Sequence, residues 1–599
     1  MTTSLNTIKA EPQETSAAIQ PNTMASVYED LSCELDRGFH VWLSTVTAGI
    51  SPVSVSLAYT DWLMHLSLSP GKIFRLWSEA AEKAMSFRPL LLNTGQWGGI
   101  LGETADKKDK RFKDDAWNQF PFSLYQQIFL SIGDSWQAAV TEIDGVSQHH
   151  VNVVAFFNHL CLDALAPSNF IATNPVVLAK IRETFGQSLA LGLRNFLDDS
   201  QQLFLGELPH HLHPFEVGKD LAISPGKVVY RNRLIELIQY SPTTKKVYAE
   251  PILIVPAWIM KYYILDLTPG QSLVEYLVQQ GHTVFLISWK NPNAEDHDIG
   301  FNDYMKLSVM ESLDVINTIV PDRKIHAAGY CIGGILLSIA AAWMSQRNDG
   351  RLQTVTLLAA QSDFDRAGDL LLFMDESQLA FLSEIMKQQG YLNKFQLKSI
   401  FQIMHANDLI WSYLINNYLL GERTPVSTLM AWSADVTRMP YKMHKEYLEK
   451  LYLHDELSEG DYEVDGKTIV LRSIKLPIFS LATEKDYLSP WRSVYKLHLF
   501  TNTDITFVLT NGGHNAGIVS ELKNPHRHYH IGTTPKDAPY ISACHWLKEH
   551  QELYPGSWWS AWHQWLIKHS TKQKVAAPTM GSSSYPPLDD APGTYVHQK

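Results

Sequence analysis

Cysteine is scarce in this chain. Its four residues, Cys33, Cys161, Cys331 and Cys544, are spaced too widely for a disulfide framework or a C-x-x-C metal pair. That usage suits a reducing cytoplasm. A basic excess is missing too. Fifty Lys plus Arg against 62 Asp plus Glu give a formal charge of −12, which argues against nucleic acid as the main partner. A nucleotide-tailed ligand is not excluded, because it needs only a few local cations. No run of about 18 apolar residues announces a transmembrane helix. Met1–Met24 is polar, with Glu11, Pro12, Glu14 and Pro21, and lacks the basic and apolar regions of a signal peptide. There is no G-x-x-x-x-G-K-[ST] phosphate loop. Metal is not expected either. His149-His150 and His210-His211-Leu212-His213 have no carboxylate or thiolate at ligand spacing and read as surface or loop residues, as do His526, His528 and His530.

Aromatic residues are plentiful, at 11% with 17 Trp, and the apolar share of 45% is ordinary for a globular chain. A large Trp-rich core accounts for these better than a surface facing an apolar phase. At 599 residues the chain calls for more than one domain. Residues 1–26 read as a disordered arm. Residues 27–213 read as a mostly helical N-terminal domain, with apolar residues at helical spacing through Trp62-Leu63-Met64 and Phe156-Phe157. Its basic stretch Lys107–Lys113 reads as a solvated loop.

After Pro214 the period changes. Strands are expected at Lys227–Tyr230, Leu234–Tyr240, Pro251–Pro256, Thr283–Trp289, Ile325–Ala328 and Thr354–Ala359. Apolar on both sides and alternating with helices, they predict a parallel α/β sheet. From 364 to 475 the pattern is helical, as for a cap inserted between two core strands. Strands resume near Leu476–Leu481, and Ile505–Leu509 would be the last of the core. The catalytic domain then spans 214–570, and an irregular tail, rich in Pro, Gly and Ser, spans 571–599.

Between a strand and a small-residue helix stands Gly329-Tyr330-Cys331-Ile332-Gly333. This G-x-C-x-G box is the nucleophile elbow of α/β-hydrolases with Cys in place of Ser. The turn would lift the sulfur over a helix N-terminus, where dipole and free N–H groups favour a thiolate. A thiolate there points to acyl-thioester exchange more than to ester hydrolysis. The order nucleophile, acid, histidine selects Asp486, just past the strand near 477–482, and His514, just past the strand near 503–510. Glu484 is the competing acid. Taken singly, a G-x-C-x-G box, an Asp after a strand or a His beside Gly-Gly is ordinarily structural. Three in order, each at the C-terminal edge of a strand, converge on one crevice. The oxyanion would rest on the backbone N–H of Ile332 and one from the loop at Ile259.

These residues are part of a wider resemblance. Gly329–Gly334, Leu165–Pro175 (LAPSNFIATNP), Lys261–Leu267 (KYYILDL), Ile287–Pro292 (ISWKNP), Asn407–Trp411 (NDLIW), Asn416–Leu420 (NNYLL), Gly512–Gly517 (GGHNAG) and Ala591–Val596 (APGTYV) resemble motifs of the polyhydroxyalkanoate synthases, class I type, from roughly Asp36 onward. The resemblance implies that Cys331 carries a growing polyester made from (R)-3-hydroxyacyl-CoA. His514 would be the base, and Asp486 its partner or the activator of the substrate hydroxyl. No cofactor is implied, since CoA is released from the substrate. A homodimer at the surface of cytoplasmic polyester granules, with granule-associated proteins as further partners, is implied as well. The chain departs from the family at Tyr487, where a His is usual, and at His405, near a customary Arg; both are candidate substrate contacts. The alternatives are a thioesterase or depolymerase on the same scaffold, or a non-catalytic granule-surface protein.

Overall fold

The computed structural model describes residues 24–86, 109–204 and 214–599. Most of the expected arm, with His210, His211 and His213, lies outside them. Among the described residues, seven α-helices fill the N-terminal region: α1 (Met24–Val46), α2 (Pro52–Ser67), α3 (Pro70–Ser86), α4 (Phe122–Val140), α5 (Gln148–Ala164), α6 (Pro175–Glu183) and α7 (Gln187–Phe204). Local chemistry sets their ends. Ser51 caps α2 by accepting from Ser54 N–H, with Pro52 in the first turn, and Asn174 caps α6 in the same way. Ala58 and Trp62 of α2 pack on Val153 and Val154 of α5. The basic stretch does not form the expected solvated loop where it is described. Phe112 is buried, and Arg111 is held between Asp109 and Asp163 at 2.7 and 2.6 Å.

The central sheet has ten strands: β1 (Gly226–Arg231), β2 (Ile235–Tyr240), β3 (Ile252–Val255), β4 (Val284–Trp289), β5 (Ile325–Tyr330), β6 (Leu352–Leu358), β7 (Ile478–Thr483), β8 (Ile505–Thr510), β9 (His528–Thr534) and β10 (Tyr554–Pro555). Their spatial order is β1-β2-β4-β3-β5-β6-β7-β8-β9-β10. The run from β4 to β8 is parallel, as expected. Both flanks are antiparallel, so the sheet is mixed. The parallel strands are buried on both faces: Ala327 of β5 joins one apolar cluster and Ala328 the other. β8 is not the last strand. β9 extends the sheet with His528 and His530, which had read as loop histidines. Its half-wet burial pattern is that of a strand near the edge, which leaves no continuous apolar run to read.

The helical insertion after β6 includes α8 (Glu376–Gln389), capped by Asp375 and closed by Gly390 in the left-handed region, and α9 (Lys394–Met404). The N-terminal helices dock on this insertion. Ile50 packs on Phe373, Ile400 and Met404, and Gln378 takes Ser51 N–H at 2.7 Å while donating to Gly49 O at 2.8 Å. The tail after 570 is tied down along the outer edge of β1. Val228 N–H donates to Asp589 O at 2.9 Å, Leu588 N–H returns a bond to Val228 O at 2.8 Å, and Val575–Ala576 pairs with Lys246–Val247. Covering the edge strand this way removes its open hydrogen-bonding groups. Among the described residues no helix is long and apolar enough to cross a membrane. Trp258, Trp546, Trp558, Trp559 and Trp562 are core residues, whereas Trp42 and Trp77 lie exposed on α1 and α3.

Candidate active site

Cys331 sits between β5 and the buried helix α10 (Ile332–Gln346) with φ 53° and ψ −125°. A residue with a Cβ adopts this conformation only under strong constraint. The positive φ falls on the cysteine itself. The flanking glycines are there for room. A Cβ on Gly329 would lie 2.5 Å from Gly334 Cα, and one on Gly333 would run into the carbonyl oxygens of Val255 and Pro256. The first turn of α10 is thereby pressed against the end of β3. Cys331 N–H donates to Leu358 O at 2.9 Å, so strand pairing with β6 continues to the sulfur-bearing residue.

The loops after β7 and β8 meet here. His514 Nδ1 lies 2.8 Å from Asp486 Oδ2, with side-chain exposures of 5% and 0%. Asp486 is fixed on every side. Its Oδ1 accepts from Leu488 N–H at 3.0 Å and Ser489 N–H at 2.8 Å, and its Oδ2 also accepts from Thr483 Oγ1 at 3.2 Å. The ring of His514 stacks on Tyr330, whose hydroxyl donates to Asn515 Oδ1 at 2.6 Å. Burial alone would lower the His514 pKa. The Asp486 carboxylate, the Cys331 sulfur and hydrogen bonds to both outweigh it and hold the imidazolium well above the usual 6.5. Glu484, the competing acid, is exposed, and its backbone N–H is bonded to Thr510 O.

Ile332 is the first residue of α10, so its N–H has no intrahelical acceptor. Ile259 lies in the loop that leaves β3, three residues past Pro256, whose carbonyl lies against that first turn. Among the described residues neither amide N–H makes a hydrogen bond. Tyr487 and His405 come together, their rings 4.0 Å apart edge to face, with His405 at the C-terminal end of α9. They join the acid loop to the insertion. Burial, then the charges of Asp486 and Asp369, push the Tyr487 phenol up to about 12. Sequence reasoning missed Tyr447 and Tyr452, which the insertion brings within the electrostatic reach of Cys331, their hydroxyls 3.5 Å apart. They stand five residues apart, a spacing that an α-helix does not bring to one face, and the π-helical segment Tyr447–Leu453 carries both. Among the described residues no group of three or more His, Cys, Asp or Glu could hold a metal. His149 and His150 open α5 and face Asp375 and Asp61.

The sequence as a whole has relatives among known proteins. Residues 108–277 match the family model described as the poly-beta-hydroxybutyrate polymerase (PhaC) N-terminus, residues 32–72 match poly-beta-hydroxybutyrate polymerase N terminal, and residues 250–521 match the alpha/beta hydrolase fold. The chain is 37% identical over 497 residues to the poly(3-hydroxyalkanoate) polymerase of Methylorubrum extorquens, covering 82% of this chain and 81% of that one. It is 34% identical over 601 residues to the poly(3-hydroxyalkanoate) polymerase subunit PhaC of Rhizobium etli, covering 97% and 93%. With the subunit of Cupriavidus necator the identity is 33%, covering 84% and 85%. Among solved structures, the monoacylglycerol lipase of Paleococcus ferrophilus matches at 13% identity and a TM-score of 0.31, covering 56% of this chain and 99% of that one.

Proposed function

The chain belongs to the poly(3-hydroxyalkanoate) polymerase family, and we propose that it polymerises (R)-3-hydroxyacyl-CoA thioesters into polyhydroxyalkanoate through an acyl group carried on Cys331. The observation that carries this reading is the site itself: a cysteine at positive φ at the head of a helix, served by a buried His514–Asp486 pair. His514 takes the Cys331 proton, and the sulfur attacks the thioester carbonyl. The resulting oxyanion rests on Ile332 and Ile259 N–H. Collapse expels CoA as its thiolate, which takes the proton back from His514, and the acyl group stays on sulfur. The 3-hydroxyl of a further unit then gives its proton to His514 and attacks the acyl-sulfur bond, forming an ester and freeing a thiol. Each Asp486 oxygen already accepts two hydrogen bonds. That supports Asp486 as the orienting partner of His514 in both steps, and leaves the hydroxyl proton to the imidazole.

Water would divert the acyl-enzyme to free acid, so the 364–475 insertion acts as a cap that excludes it. Removing the cap raises hydrolysis relative to polymer; an unchanged ratio would sink that role. Tyr487 and His405 line the junction of cap and acid loop and serve as substrate contacts. The domains divide at 27–213 and 214–570, and the enzyme works as a homodimer at the granule surface, without a cofactor.

The test is CoA release from (R)-3-hydroxybutyryl-CoA with product analysis, beside Cys331→Ala. Polymer with CoA release, both lost in the variant, is the expected result. Free hydroxy acid as the sole product would make the protein a thioesterase, and release by Cys331→Ala would remove the nucleophile's role.

A further inference from the structure

The N–H of Ile259 can face an oxyanion only while the Trp258–Ile259 peptide keeps one orientation. A peptide is planar and trans, so its C=O points opposite to its N–H. Whatever holds the Trp258 carbonyl therefore aims the Ile259 N–H. That holder comes from the cap: Thr437 Oγ1 donates to Trp258 O at 2.5 Å, and Thr437 is 2% exposed. The same residue's N–H donates to Ile259 O at 3.3 Å, and Met260 pairs with Val436 in an antiparallel bridge. The Trp258 side chain is fixed as well, its ring 5.1 Å from Trp289 and 4.7 Å from Tyr304. Two residues earlier, Pro256 O accepts from Trp289 Nε1 at 3.0 Å. A flip of the peptide would leave the Thr437 hydroxyl and the Trp258 carbonyl unpaired in the interior. It would also turn a carbonyl toward the place where negative charge develops.

We infer that Thr437 is a positioning residue for thioester cleavage: through the Trp258 carbonyl it locks the Ile259 N–H toward the oxyanion, so that seating the cap and completing the oxyanion hole are one event. The inference rests on the proposed acyl-transfer reading and adds its control element. Sequence gives no hint of it. Thr437 lies far along the chain from both Ile259 and Cys331, and its hydroxyl acts through a carbonyl that never touches substrate.

The experiment measures kcat and KM for CoA release from (R)-3-hydroxybutyryl-CoA by Thr437→Val, Thr437→Ser and Trp432→Phe, with Cys331→Ala alongside. Trp432 Nε1 donates to Lys261 O, so its loss removes a bond of the same loop but not of the Trp258–Ile259 peptide. Losing a whole oxyanion donor costs about 10²- to 10³-fold in kcat. A donor left free to turn away should cost about 10- to 100-fold. Thr437→Val is expected to show that loss with KM nearly unchanged, Thr437→Ser to recover most of the rate, and Trp432→Phe to lose less than Thr437→Val. Alkylation of the Cys331 peptide by iodoacetamide, followed by mass spectrometry, should not change, because thiolate formation depends on His514 and not on the hole. If Thr437→Val melts well below the parent, Thr437→Ala goes through the same measurements and must reproduce the kcat loss. Full kcat in the Val and Ala variants, equal losses in Val and Ser, or a fall in Cys331 alkylation would overturn the lock. An intact protein that releases no CoA, or a Cys331→Ala protein that still does, overturns the acyl-transfer reading instead.

Discussion

His514 Nδ1 donates to Asp486 Oδ2 across 2.8 Å, both side chains buried, and the imidazolium is held well above its usual 6.5. Such a group stabilises the fold fully below pH 6.5 and loses that contribution as pH rises through its native value. The melting-temperature gap between the protein and His514→Gln is therefore expected to narrow as pH is raised from about 6 to about 10. Melts across that range check it, and a gap that widens with pH would contradict the pairing.

The two candidate acids make opposite demands. Asp486 is hydrogen-bonded to His514, whereas Glu484 is exposed. Asp486→Asn should lower CoA release by about 10³- to 10⁴-fold, because the amide favours the wrong imidazole tautomer. Combining it with His514→Gln should add little, since the two act as a unit. Glu484→Gln should stay within about twofold of the parent. Single-turnover CoA release from all four proteins decides it, and the reverse ranking would move the acid's role to Glu484.

Gly333 is needed for close approach. Its ideal Cβ would lie 2.6 Å from Pro256 O, with Val255 O also in the way, and both obstacles are backbone. Gly333→Ala must push α10 away from the end of β3, at a cost of about 1–3 kcal/mol or more. The same shift separates Ile332 from Ile259. Urea unfolding should show a lowered midpoint, and CoA release should fall in the fraction that remains folded. A variant as stable and active as the parent would mean that the strand and helix can part freely.

What could be read from the sequence follows how locally each feature is encoded. Cys331, Asp486 and His514 were legible because each stands just past an apolar strand, and the strands declare themselves by β-branched, two-sided apolar runs. β9 was not, because His528-Tyr529-His530 lies near the sheet edge, where one face stays wet and polar residues suffice. The docking of the irregular tail was not legible for a similar reason. Its Pro and Gly content describes a segment without helix or strand, and says nothing of the bonds that Glu236 makes to Thr594 and Tyr595 N–H at 3.0 and 2.9 Å. Thr437, Tyr447 and Tyr452 matter through contacts made only when the cap is in place, so no local pattern marks them.

Lys261 is where the tail meets the oxyanion loop. Lys261 is 4% exposed, and its ammonium makes no ion pair among the described residues. It donates to Gln598 O at 2.7 Å and Tyr595 O at 3.4 Å. Burial, only partly offset by Asp435, lowers its pKa from 10.5 to about 8. Removing residues 595–599 would leave a buried charge without a partner, which costs about 3–5 kcal/mol. In a Lys261→Met background the same truncation removes carbonyls that no longer have a charge to satisfy, so it should cost clearly less. Urea melts of the four proteins measure that difference, and equal costs in both backgrounds would show that the tail acts by packing alone. The pH dependence gives an independent check. A lysine depressed in the folded state withholds stability below about 8 and returns it as pH rises to 10.5. Full-length protein should therefore gain stability over that interval relative to Lys261→Met. A flat difference would mean that the ammonium is better solvated than its burial implies.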